Sequence, residues 1–258
     1  MSWNSPEQAI VKSVLQDAYP EFMAKLGQHI KDPKFQAAIK LLSSFRRVSY
    51  KNLETPVTQM RPTQNEIDID GSLKYPLSDA FTAELYLRGG IVAVAGKKII
   101  TANDGKFVID GHHRWSQLYC INPKAMIVSF DLSDIKNPMH ALAYTQLGIA
   151  GQTGVVPVSV VKGTNLLVAS QNQIYDYIAR IITKSVIGVF VKILKLNPLN
   201  PIPQIQEYIW NNVNLMQQNN TPVPGAPPRS LMPQTDSAPM WPSFAPRIAE
   251  GYCGPCRR

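Results

Sequence analysis

Asp110-Gly111-His112-His113-Arg114 puts a carboxylate, two imidazoles and a guanidinium around a single glycine. Phe107-Val108-Ile109 precedes this run and Trp115 follows it. The pattern predicts a buried strand that enters a glycine turn and passes directly into a helix. Glycine allows a tight turn and a close backbone approach. The first turn of a helix presents unpaired N–H groups and the positive end of its dipole, which together suit a phosphate. The two imidazoles can donate to phosphate oxygens, and Arg114 can do so through two parallel bonds. Asp110, at the strand end, could hold Mg²⁺ or act as a general base, and His112 is a second candidate base. The competing reading is a histidine pair that caps or packs a helix start without doing chemistry. Joint ligation of one metal ion by His112 and His113 is awkward, because neighbours on a helix of about 3.6 residues per turn diverge by about 100°. The common zinc spacings are absent.

The surrounding elements must hold that turn in place. Lys106 to Ile109 pairs naturally with Ile99-Ile100-Thr101 across Asn103-Asp104-Gly105, a strong hairpin signal. A helix is expected from near His113 to Asn122-Pro123, then a strand over Met126 to Phe130. Upstream, Val57 to Pro62 reads as extended, Leu77 to Leu87 as a helix closed by Gly89-Gly90, and Ile91 to Ala95 as a strand. Residues 46–135 thus mix strands and helices as a compact α+β or α/β domain does. Residues 1–45 are expected to be helical: Ser5-Pro6-Glu7-Gln8 is a capping box with Pro at the first helical position, and Asp32-Pro33 repeats the signal. Residues 136–220 are mainly helical in pattern, with helices over Met139 to Leu147, after Ser170, and over Ile205 to Met216. Val155 to Val161 reads as extended. From Thr221 to the end, Pro occurs nine times in 38 residues, which predicts a disordered or extended tail.

With that order of elements, Gly111-His112-His113-Arg114-Trp115 resembles the Gly-Glu-Arg-Arg-Trp motif of ParB-type domains. It is also similar to the Gly-Cys-His-Arg motif of sulfiredoxins. Pro56 to Gln64 looks like the Pro-containing box that opens ParB-like domains, and the resemblance covers roughly residues 54–132. It implies a ParB/sulfiredoxin-like mixed-sheet domain that binds ATP or CTP with Mg²⁺. By position Gly111, His113 and Arg114 inherit the phosphate grip, and Asp110, His112 and His113 become the candidate catalytic groups, with Asp110 as the metal ligand. Arg61, Thr63 and Gln64, with Asn65 beside them, are expected to line the same pocket; a plain polar loop is the alternative. His112 stands where sulfiredoxin has its catalytic Cys, which argues against sulfinic-acid reduction. It also replaces the Glu of the ParB motif, which puts metal handling in question.

The resemblance implies NTP hydrolysis or phosphoryl transfer. The alternatives are a DNA-binding ParB-like protein (a nucleotide switch or a nuclease) and a degenerate domain serving as a structural or interaction module. Composition frames these. The 258 residues hold 26 Lys and Arg against 18 Asp and Glu, a net charge of +8, and 45% are apolar, enough for a sizeable core. The 10 basic and 4 acidic residues after position 135 allow a DNA partner, although the cations are scattered. Three Cys exclude a disulfide scaffold. Ser185 to Leu196, the most apolar stretch, is twelve residues long and holds two Lys, whereas a span needs about 20 apolar residues. No membrane partner and a cytoplasmic, intracellular location are therefore expected, with a homo-oligomer left open. The small domain and unusual flanks suit a phage or mobile-element protein. Cys253-Gly254-Pro255-Cys256 copies the thioredoxin tetrad but lacks a following helix, so an accessory dithiol is expected there. Cys120 is expected to be a buried apolar residue.

Overall fold

The computed structural model describes residues 5–157 and 163–247. Its fold is α+β. Three helices open it: α1 (Pro6–Gln16), α2 (Tyr19–His29) and α3 (Pro33–Phe45). The Ser5 hydroxyl accepts from the Gln8 N–H at 3.2 Å and the Gln8 side chain accepts from the Ser5 N–H, so the capping box is complete. Asp32 caps α3 by accepting from the Lys34 N–H at 2.9 Å.

A mixed six-stranded sheet follows. Its strands are β1 (Lys51–Pro56), β2 (Arg61–Pro62), β3 (Ile91–Val92), β4 (Ile99–Ala102), β5 (Phe107–Asp110) and β6 (Met126–Leu132). The order is β1-β6-β4-β5-β2, and β3 pairs with β6 on the same edge as β4. β4 and β5 form the expected hairpin, with Asn103, Asp104 and Gly105 all at positive φ. A side chain at Gly105 would collide with Thr55, so glycine is required by space as well as by φ.

Side chains alternate across the sheet, as a period of two demands. Ile99, Val108 and Ile127 enter one core, whereas Ile100, Ile109 and Leu132 enter the other. The first core is covered by α4 (Ile69–Ser78), α5 (Ala80–Arg88), α6 (His112–Ile121), α8 (Gln171–Ile181), α9 (Lys184–Leu194) and α10 (Pro201–Asn219). The second is covered by α1, α2 and α3 with α7 (Pro138–Thr153) and α11 (Trp241–Phe244). No helix among the described residues is long and apolar enough to cross a membrane.

Several expectations change. The helix expected over Leu77 to Leu87 is two helices, because Asp79 leaves helical geometry and caps α5 through the Thr82 N–H at 2.8 Å. The preceding helix α4 holds Gly71 and Pro76, which hid it in the sequence. Val57 to Pro62 is a 3-10 turn followed by the two-residue β2, and only Ile91–Val92 of the next expected strand pairs. α10 starts at Pro201, earlier than Ile205, because Pro suits the first helical turn. Val155 to Val161 and the Cys253–Cys256 pair lie partly or wholly outside the described residues.

The larger correction concerns the Pro-rich tail. Disorder does not hold for residues 221–247, since Val223, Met232, Ala238, Trp241 and Ala245 are buried. Proline density does keep this segment out of strands and allows it only short turns and the four-residue α11. Burying apolar side chains needs neither ladder nor long helix, and a fully buried aliphatic or aromatic side chain contributes about 1.5–3 kcal/mol.

Candidate functional site

The turn forms as its sequence demands. β5 ends at Asp110, Gly111 takes the left-handed conformation at φ 93° and ψ 27°, and α6 begins at His112. A Cβ on Gly111 would meet Ile99 Cγ2 at 2.6 Å and Arg114 Nε at 3.2 Å. Conformation and space therefore both require glycine. Trp115 anchors the helix by donating from its indole to the Val57 carbonyl at 2.9 Å, fully buried.

The side chains around the turn are heavily engaged. Asp110 Oδ1 accepts from the Gly111 N–H at 2.6 Å. Its Oδ2 accepts from the Thr235 N–H at 3.2 Å and from the Thr235 hydroxyl. His112 is buried, and its Nε2 accepts from the Thr63 N–H at 3.1 Å. That bond requires an unprotonated Nε2, and burial, with His113 beside it, pushes the imidazole down to about 3. Thr63 in turn donates its hydroxyl to the Val108 carbonyl at 2.5 Å. His112 thus joins the 61–64 box to the turn as a neutral ring.

His113 points elsewhere. Its ring lies against Gly71 of α4, where an added Cβ would fall 2.8 Å from Nε2. Nε2 is buried without a hydrogen-bond partner. Burial, and then the charge of Arg229, push this imidazole down to about 4. Arg114 donates from Nη1 to the Lys98 carbonyl at 3.0 Å, which lays its guanidinium along the loop before β4.

The 61–64 box holds the tail. Arg61 donates to the carbonyls of Thr221 and Pro222, each at 3.0 Å. Gln64 donates to the Glu66 carbonyl, and Glu66 accepts from the Arg229 N–H at 3.2 Å. Asn65 donates its backbone N–H to the Pro227 carbonyl and its side chain to the Ala226 carbonyl, both at 3.1 Å.

The structure therefore brings Asp110, Gly111, His112 and Arg114 to one turn, with Thr63 behind it, turns Arg61 and Asn65 toward the tail, and leaves Gln64 on the Glu66 carbonyl. It also adds groups the sequence reading missed. Thr235 sits on Asp110, the Asp236 carboxylate meets Lys97 at 3.1 Å, and Arg229 lies 3.8 Å from Asp68. These contacts span long stretches of chain. The available signal was a tail containing Trp241, Met232 and Val223, which is unusual for a solvated segment.

Asp110 is the carboxylate that the sequence offers as a Mg²⁺ ligand. Asp110 is the one carboxylate in the run 110–114, and both its oxygens already accept hydrogen bonds. Among the described residues no three His, Cys, Asp or Glu side chains gather as a ligand group. The cations near the turn are each engaged: Arg114 with the Lys98 carbonyl, Lys97 with Asp236, and the Lys98 ammonium with the Asn52 side-chain oxygen at 2.9 Å, while Arg229 raises the positive potential at His113. No protein-family model, curated protein or solved structure matches the chain.

Proposed function

We propose that this chain is a ParB/sulfiredoxin-like nucleoside-triphosphate-binding protein whose phosphate site is the Gly111–Arg114 turn. The observation that supports it most is Gly111 itself: a left-handed glycine, required by space, that joins a buried strand to the start of a ten-residue helix beside Arg114. The helix start would supply backbone donors and a positive dipole. Arg114 would turn part of its guanidinium from the Lys98 carbonyl to phosphate oxygens, and Lys97 would add charge at the rim. ATP and CTP are the nucleotides to test first. Binding is better supported than hydrolysis or phosphoryl transfer, because Asp110 is occupied by Thr235 and Gly111, and His112 by Thr63.

The test is a thermal-shift screen of the four ribonucleoside triphosphates with and without Mg²⁺, comparing the natural chain with Arg114→Ala. A charged hydrogen bond contributes roughly 1.5–3 kcal/mol, so Arg114→Ala should weaken binding about 10- to 100-fold. No shift with any triphosphate, or an equal shift in Arg114→Ala, overturns the reading. The second reading is a degenerate domain used as a structural module. The closed His112–Thr63 and Asp110–Thr235 contacts favour it, and it predicts that absence of nucleotide response.

A further inference from the structure

The contacts around the turn close into a ring that includes the tail. Arg114 holds the Lys98 carbonyl, and the neighbouring Lys97 meets Asp236. The next residue, Thr235, holds Asp110 Oδ2, and Asp110 Oδ1 holds the Gly111 N–H. Thr235–Ser237 is a single 3-10 turn, and in it Thr235 is buried while the Asp236 side chain is 66% exposed. The segment is tied on both sides. Arg61 and Asn65 hold residues 221–227 before it, and the buried Ala238, Trp241 and Ala245 hold it after. Tyr19 and Gln146 both donate to the Leu231 carbonyl at 3.0 Å, just before the turn.

We infer that Thr235 and Asp236 form an autoinhibitory plug of the phosphate site, with the Asp236 carboxylate taking the place beside Lys97 that a phosphate oxygen would otherwise fill. The inference rests on the phosphate-site reading above and adds its regulation. A carboxylate and a phosphate oxygen compete for the same ammonium group. The Thr235 hydroxyl and N–H meanwhile hold Asp110 on the tail side. Because the tail is tethered at both ends, its release is a local movement, and the plug returns at high effective concentration once the ligand leaves. The Lys97–Asp236 pair is itself more than half exposed on both sides, so its contribution is small and a triphosphate of higher charge can displace it. Anions that bind here therefore open the tail, and anything that lifts the tail strengthens anion binding.

The experiment is a titration of the full chain with ATP and with CTP at low ionic strength, read by calorimetry. It is repeated for Asp236→Asn, Thr235→Val and the double variant, with Arg114→Ala as the control that removes the site. Asp236→Asn should bind about 2- to 5-fold tighter, the range an exposed ion pair allows, and the double variant tighter again. The gap should narrow as salt is added, since salt screens exposed charges. Hydrogen exchange supplies a readout that does not depend on affinity: triphosphate should speed exchange of the Thr235 amide, which Asp110 protects in the closed form. Thermal melting of each variant checks that it is folded. Equal or weaker affinity in the folded variants, with Arg114→Ala still weakening binding about 10- to 100-fold, overturns the plug and leaves the phosphate site standing. Binding in none of the chains overturns the site and the plug together. Binding seen in the double variant and not in the natural chain is the strongest support.

Discussion

His112 and His113 make the stability of this protein depend on acid in a way that can be worked out from their surroundings. Both rings are held neutral, at about 3 and about 4 respectively, chiefly because burial penalises the charged form. In the unfolded chain an imidazole titrates at about 6.5. Above that value neither state takes up a proton at these sites, and the two rings leave stability unchanged with pH. As pH falls below about 6.5, the unfolded chain gains protons that the folded chain refuses, so stability drops by about 1.4 kcal/mol per unit per ring. At pH 5 each ring has cost about 2 kcal/mol and the pair about 4 kcal/mol, a large part of the 5–15 kcal/mol typical of a domain. Urea unfolding at pH 7.5 and pH 5 measures this directly. His112→Gln keeps an acceptor for the Thr63 N–H and removes one titrating ring. It should lower stability at pH 7.5 and shrink the difference between the two pH values by about 2 kcal/mol. An unchanged difference in His112→Gln would refute the argument that His112 is a neutral structural ring.

Three further outcomes follow from the packing. Gly71→Ala should destabilise by about 1–3 kcal/mol through overpacking against the His113 ring, and His113→Ala should relieve most of that; a double-mutant cycle by urea unfolding reads the coupling. His113→Leu alone should hold or raise stability at pH 7.5, because it removes a buried nitrogen that has no partner, and a loss above about 1 kcal/mol would contradict this. Trp241→Ala should cost about 3–5 kcal/mol in the same assay, a loss that a disordered tail could not produce.

What the sequence made legible was local. Ser5 with Gln8, Asp32 with Lys34, and Ser170 with Gln173 sit within a turn of each other, so one stretch of chain holds both donor and acceptor. The Asn103-Asp104-Gly105 hairpin and the Gly111 turn are legible for the same reason, since positive φ is a property of single residues. α4 was not legible, because Gly71 and Pro76 weaken the helical pattern that its packing on α6 and α8 overrides. Gly71 is there for the His113 ring, a reason found only in three dimensions.

The candidate site shows the same divide more sharply. The types and spacing of Asp110, Gly111, His112, His113 and Arg114 were enough to place a strand, a left-handed glycine and a helix start. They could not say which side chains remain available to a ligand, because availability is set by Thr63, Gly71 and Thr235, at separations of 125 residues in the case of Thr235 and Asp110. A reactive-looking carboxylate and imidazole are also good hydrogen-bond acceptors, and a folded chain tends to satisfy them from within. The cations beside Gly111 are held more lightly: Arg114 spends one donor on a carbonyl, and Lys97 meets a mostly exposed carboxylate. The Arg114 and Lys97 side chains, which the proposal assigns to an anion, are thus more open to exchange than Asp110 and His112, which are built into the scaffold. That asymmetry is the physical reason to expect a ligand-binding switch at this turn before expecting an enzyme.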